Sequence, residues 1–139
     1  MIVVPFESWH IDFIQPSWPV MKEGLALEKA SISYTAIEKG QIVIIAGIIP
    51  IWQGVAESFL IPSQLLQKYR IECIKNIKLN QESIRQKLNL HRLQTTVPSN
   101  LHQAIRWLEW LGYKRESTLW MWGPDKLDHY RYVRFFDGN

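Results

Sequence analysis

Apolar positions change their spacing several times along this chain, and each change predicts an element. Ile2 to Val4 reads as a short first strand, stopped by Pro5. Glu7 to Phe13 has room for one or two helical turns. The stretch Gln15–Pro16–Ser17–Trp18–Pro19 then breaks the pattern, because each proline restricts the residue before it. Met21 to Lys29 reads as helical, with Gly24 weakening it. From there the period becomes two: Ile32, Tyr34 and Ala36 alternate with Ser31, Ser33 and Thr35. Lys39–Gly40 is a hairpin turn. Gln41 to Trp52 is apolar on both faces, which predicts a central strand covered on both sides, with Pro50 near its end. Gln53–Gly54 turns again, and Val55 to Ile61 is the next strand.

Pro62–Ser63 opens a long helical region, with Ser63 as its N-cap. Leu66, Tyr69, Cys73, Ile74, Ile77, Ile84 and Leu88 form one apolar stripe at helical spacing, running to about Asn89 with an interruption near Asn80. His91 to Val97 is a strand. Pro98 to Gly112 is the most legible element. Asn100 with Gln103 three residues on fits a capping box, and Gly112 stands where a helix takes its left-handed last residue. Leu101, Ala104, Ile105, Leu108 and Leu111 form its apolar face. Two strands close the chain, Tyr113–Trp122 and Asp128–Phe136, joined by the turn Gly123–Pro124–Asp125. The order predicts one α+β domain over 1–139, built on a mixed sheet of six or seven mostly antiparallel strands.

The chain has 139 residues, 47% apolar and 21% charged, which suits a folded core and argues against disorder as the main state. The longest apolar stretch, Ile42 to Trp52, falls short of the ~20 residues of a membrane span. No export signal is visible, and the single Cys73 cannot form an internal disulfide. A net charge of +3 permits anionic partners without indicating one, and the basic residues form no long run. The four histidines lack metal-ligand spacing, so no metal is expected. Cys73 lies on the buried stripe, away from the exposure a reactive thiol needs. The seven tryptophans are the outlier in composition. Trp107 and Trp110 share a side of a helix, and Trp120 and Trp122 share a strand face. Ordinary core packing or a protein interface accounts for them, with Trp107 and Trp110 the leading interface pair. His129–Tyr130–Arg131–Tyr132–Val133–Arg134 reads as a solvated sheet face, so nucleic acid is not the expected partner.

This order of elements resembles the GNAT fold of the N-acetyltransferase superfamily. The most specific piece is Asn100 through Leu111–Gly112–Tyr113, similar to the helix those enzymes place beside bound coenzyme. The resemblance implies acetyl-CoA, whose pyrophosphate those enzymes hold on a glycine-rich start of the long helix. Carried over by position, the coenzyme-binding residues would be Ser63, Gln64 and Asn100. Here the helix start reads Ile61–Pro62–Ser63–Gln64–Leu65–Leu66, and no glycine stands between Gly54 and Gly112. Acetyl-CoA is therefore expected to bind weakly or not at all. Leu108 stands where many of the enzymes carry an acidic tyrosine. Glu57, on the strand before the long helix, is the candidate general base. Alternation places it beside Val55, Phe59 and Ile61, where an apolar face disfavours the charged carboxylate and suits proton uptake. A structural ion pair, or a bulge turning it to solvent, is the alternative.

A narrower resemblance is to the degenerate GNAT-like internal virion and assembly proteins of short-tailed bacteriophages. It rests on Ser63 before the charged helix and on His102–Gln103–Ala104–Ile105–Arg106–Trp107–Leu108. It implies a role in virion assembly through protein contacts, with no cofactor and a place in the virion or host cytoplasm. The alternative is an acetyl-CoA-dependent N-acetyltransferase with a divergent coenzyme pocket.

Overall fold

The computed structural model describes residues 1–14 and 28–136. The expected break at Gln15–Pro19, Trp18, and the expected helix up to residue 27 lie outside them. Among the described residues, seven strands form one sheet of order β1-β2-β3-β4-β5-β7-β6. By internal packing the chain divides into two compact units, Met1–Pro50 with Ser58–Gln81, and Ile51–Glu57 with Glu82–Asn139.

The first unit begins with β1 (Ile2–Pro5), the short helix α1 (His10–Phe13) and β2 (Ile32–Glu38). β1 and β2 pair antiparallel, Ile2 opposite Ile37 and Pro5 opposite Tyr34. Lys39 and Gly40, both at positive φ, turn the chain into β3 (Gln41–Trp52), as such a two-residue hairpin requires. Val43, Ile44 and Ile45 are consecutive and all buried, so β3 is covered on both faces as its sequence predicts. Phe6, Ile14, Ile45 and Ile61 form a core cluster, with Ile61 supplied by the end of β4 (Val55–Pro62).

The helix α2 runs Leu66–Leu88, starting three residues after Ser63. Its irregular residue is Tyr69 (φ −111°, ψ 18°), near the start, and not Asn80 as expected. The apolar stripe is real: Leu66, Cys73, Ile74 and Ile84 are buried. Burial pushes the Cys73 thiol up to about 11, with the nearby Glu72 charge adding to it.

In the second unit, β5 (Arg92–Pro98) lies parallel to β4 over Val55–Glu57 and antiparallel to β7 (His129–Phe135). β6 (Lys114–Leu119) is the edge strand, antiparallel to β7, with a bulge between Arg115 and Ser117. The helix α3 (His102–Trp110) precedes it. Its end is the expected one: Gly112 has φ +94°, its N–H reaches Glu109 O at 3.0 Å, and Tyr113 N–H reaches Leu108 O at 2.9 Å. That pair of bonds satisfies carbonyls the helix leaves open. Its start is not. The N-cap position is Leu101, with no side-chain cap, and Asn100 stands exposed one residue earlier.

The last hairpin also departs from expectation. β6 stops at Leu119, so Trp120 and Trp122 belong to a nine-residue connection and not to a strand face. The Asp128 carboxylate accepts the Met121 N–H at 2.8 Å, and Met121 sits at φ 51°. The chain is thereby turned out of the ladder before Trp122.

Candidate functional site

Strand β5 alternates strictly, with Leu93, Thr95 and Val97 buried and Arg92, Gln94 and Thr96 half-buried. The half-buried set shares a face with Glu57 from β4 and Arg131 from β7, because register puts Glu57 beside Gln94 and Thr96 opposite Arg131. On that face the polar side chains form one continuous network. Arg92 holds Glu116 with two hydrogen bonds of 2.6 and 2.5 Å, and donates from Nε to Gln94 Oε1 at 2.8 Å. Gln94 Nε2 donates to Glu57 Oε1 at 2.9 Å, and Arg131 Nη1 donates to the same oxygen at 2.9 Å. The hydrogen bonds from Arg92 hold the Glu116 carboxyl below the usual carboxylate range, and hold the Arg92 guanidinium above its own.

Glu57 is thus placed by three strands, but not in the apolar surroundings that its own strand suggests. The alternation of β4 is visible in sequence. The cross-strand partners Gln94 and Arg131 lie far along the chain, and nothing local announces them. Both donors converge on one oxygen, and Arg131 already supplies the positive charge that an ammonium substrate would bring. The geometry is that of a structural ion pair, 29% exposed at Glu57 and 17% at Arg131.

The start of α2 can be tested directly against a pyrophosphate. Such an anion needs free backbone N–H groups and a turn into which phosphates can approach. The Ser63 hydroxyl donates to Val43 O at 2.9 Å and accepts the Leu65 N–H at 3.2 Å. The Ser63 N–H is also taken by Val43 O, and the Leu66 N–H by Ser63 O. Pro62 has no N–H to offer. Gln64 is exposed, and Leu65 carries a branched side chain where the approach would occur. These residues do not fit the pyrophosphate of acetyl-CoA.

Five indoles are well exposed: Trp9, Trp52, Trp110, Trp120 and Trp122, between 51% and 76%. Of the expected pair on α3, Trp110 is exposed and Trp107 half-buried, because Trp107 turns toward the side of Ala104 and Leu111. The stronger concentration is Trp120–Met121–Trp122, consecutive and all exposed. Their loop is tied down from within. Gly123 N–H bonds Leu127 O, Lys126 N–H bonds Gly123 O, and the Asp125 carboxylate accepts the Leu127 N–H. Among the described residues no cluster of three or more His, Cys, Asp or Glu could hold a metal ion, and no helix is long and apolar enough to cross a membrane.

No protein-family model and no curated protein matches the sequence. Solved structures do match. A variant of the spermidine N-acetyltransferase SpeG from Vibrio cholerae superposes with a TM-score of 0.72 at 16% identity, over 97% of this chain and 95% of its own. An IAA acetyltransferase from Bacillus cereus gives 0.76 at 10% identity, over 97% and 99%. A ribosomal-protein-S5-alanine acetyltransferase from Vibrio fischeri gives 0.74 at 14%, over 97% and 92%. The chain has a GNAT-like fold, shared end to end with acetyltransferases.

Proposed function

We propose that this chain is a GNAT-fold protein that acts through protein contacts and has lost the coenzyme side of the fold. The observation that carries the reading is the start of α2, where Ser63 takes the Leu65 and Leu66 N–H groups and no glycine opens the turn to a pyrophosphate. The exposed indoles support it, since tryptophans concentrate at protein interfaces. In its finer form the reading is a role in virion assembly, which rests on the sequence resemblance of His102–Leu108 to phage proteins. None of the solved neighbours named above is such a protein.

The comparisons favour a second reading, an acetyl-CoA-dependent N-acetyltransferase with a divergent coenzyme pocket. The neighbours are described as acetyltransferases and match almost the whole chain. Under that reading Glu57 is the base, and the coenzyme is held by residues other than Ser63–Leu65.

One titration separates the two. Acetyl-CoA is added while tryptophan emission and calorimetric heat are followed, and acetyl transfer to spermidine and to an alanine-ended peptide is assayed alongside. The contact reading expects no binding tighter than ~10 μM, or ~7 kcal/mol, and no transfer. Tighter binding with turnover establishes the second reading. Glu57→Gln then lowers turnover ~100-fold, the scale of general-base loss.

A further inference from the structure

Arg85, Arg92 and Arg131 of the second unit are each held by an internal partner, Glu82, Glu116 and Glu57. On the part of α2 that belongs to the first unit the cations are not held in this way. Between residues 64 and 81 stand Lys68, Arg70, Lys75 and Lys78 against the single acid Glu72, an excess equal to the +3 of the whole chain. All four are exposed, and among the described residues none of them takes part in an ion pair. Beyond Tyr69, at 100° per residue, Ile71, Lys75, Lys78 and Leu79 fall within about 100° of one another, opposite the buried Cys73 and Ile84, with Glu72 at the edge of this face and Arg70 off it. Ile71 and Leu79 on this face are 55% and 70% exposed. A shallow groove at Tyr69, which departs from helical geometry, is lined by Lys68, Arg70 and Lys75, by Ile71, and by the one acid, Glu72.

From this we infer that the exposed face of α2 docks an acidic protein segment carrying apolar side chains. The charge excess selects a negative partner. The two aliphatic side chains between the lysines select against a nucleic-acid backbone, which offers nothing apolar to cover them. The recess at Tyr69 selects against a lipid surface, which cannot fill a groove as a side chain can. The inference is independent of whether the chain transfers acetyl groups, since it uses neither Glu57 nor Ser63–Leu65.

The test uses the full chain and a fluorescent peptide of about 12 residues alternating Glu and Leu. The comparison ligands are the same peptide with Ser for Glu, an oligothymidylate, and vesicles of phosphatidylserine and phosphatidylcholine. The acidic peptide is expected to bind at ~0.05 M salt and to weaken severalfold at ~0.5 M, as a partly screened contact does. A Lys75→Glu/Lys78→Glu variant, checked for folding by circular dichroism, should weaken it ~10-fold or more. Ile71→Ser should weaken it less but measurably. Lys114→Glu, an exposed charge reversal on β6, should leave it unchanged. Preference for the oligonucleotide or the vesicles overturns the proposal. So does equal loss with Lys114→Glu, or the absence of binding to the acidic peptide.

Discussion

Arg131 makes Glu57 half of an ion pair, and two variants separate what the pair contributes. Glu57→Leu removes the charged oxygen that Gln94 and Arg131 share. It should cost ~1.5–3 kcal/mol in urea denaturation, the usual scale for hydrogen bonds to charged groups. Glu57→Gln keeps an oxygen in place and should cost clearly less. Equal stability of the two would mean the network holds nothing together. At Gly112 the backbone itself sets the residue. At φ +94° a side chain is strained, and a Cβ would also sit 3.3 Å from Arg134 Nε. Gly112→Ala is expected to lower stability by ~1–2 kcal/mol, and an unchanged melting curve would contradict the cap. Cys73 gives a pH signature. Its folded value of about 11 lies above the ordinary 9.0, so between them the unfolded chain has released the proton and the folded chain has not. Stability therefore falls as pH rises through that window and shows no thiol dependence below it. Cys73→Ala should remove that slope from the difference between denaturation midpoints at the two ends of the window. Gly112 and the burial of Cys73 are legible in sequence, because a helix end and a helical stripe are local patterns. The partners of Glu57 are not, because pairing between distant strands leaves no mark on either.

At the level of elements, the apolar periodicity identifies every strand and helix among the described residues, and the errors sit at their ends. Asn100 has the residue type and spacing of a cap, yet α3 begins beyond it, at His102. Ser63 does cap a turn, but that turn lies before α2 and not inside it. Trp120 and Trp122 alternate like strand residues, but Asp128 captures the Met121 N–H and diverts the chain. Capping and loop bonds depend on where a side-chain oxygen ends up, which spacing alone does not encode. The loop yields its own prediction. A Cβ at Gly123 would lie 2.7 Å from Asp125 Oδ1 and 2.9 Å from His129 Cε1, both inside contact distance. Gly123→Ala should therefore displace the Asp125 and His129 side chains and lower stability. Trp120→Ala and Trp122→Ala should change the unfolding free energy by no more than about 0.5 kcal/mol, the range of neutral surface changes, because both indoles are exposed. A marked loss in either tryptophan variant would show that the indoles pack on something within the chain.

For the whole molecule, the two units are held by different forces, and pH should tell them apart. The first unit rests on a cluster of apolar side chains, Phe6, Ile14, Ile45 and Ile61. Its terminal ion pair, the Met1 amine with Glu38 at 3.0 Å, has the amine raised by that carboxylate. A raised amine gives stability that is present below its ordinary value while Glu38 is ionised, and is lost as pH rises through the folded value. The second unit carries Arg85–Glu82 and Arg92–Glu116, and in both the arginine holds the carboxyl below the usual range. A lowered carboxyl gives stability that is present above the ordinary range of about 4.3, and is lost as pH falls through the folded value. Acid should therefore loosen β5, β6 and β7 before β3, whose apolar packing does not titrate. Hydrogen exchange resolved by peptide mass spectrometry, stepped downward from neutral pH, measures this element by element. Protection should fall first in peptides covering Arg92–Pro98 and Lys114–Leu119, and Glu116→Gln should move that loss toward neutral pH, since Arg92 then lacks its counter-charge already. Simultaneous loss in Gln41–Pro50 would show that the apolar core of the first unit does not stand apart from the charge network of the second.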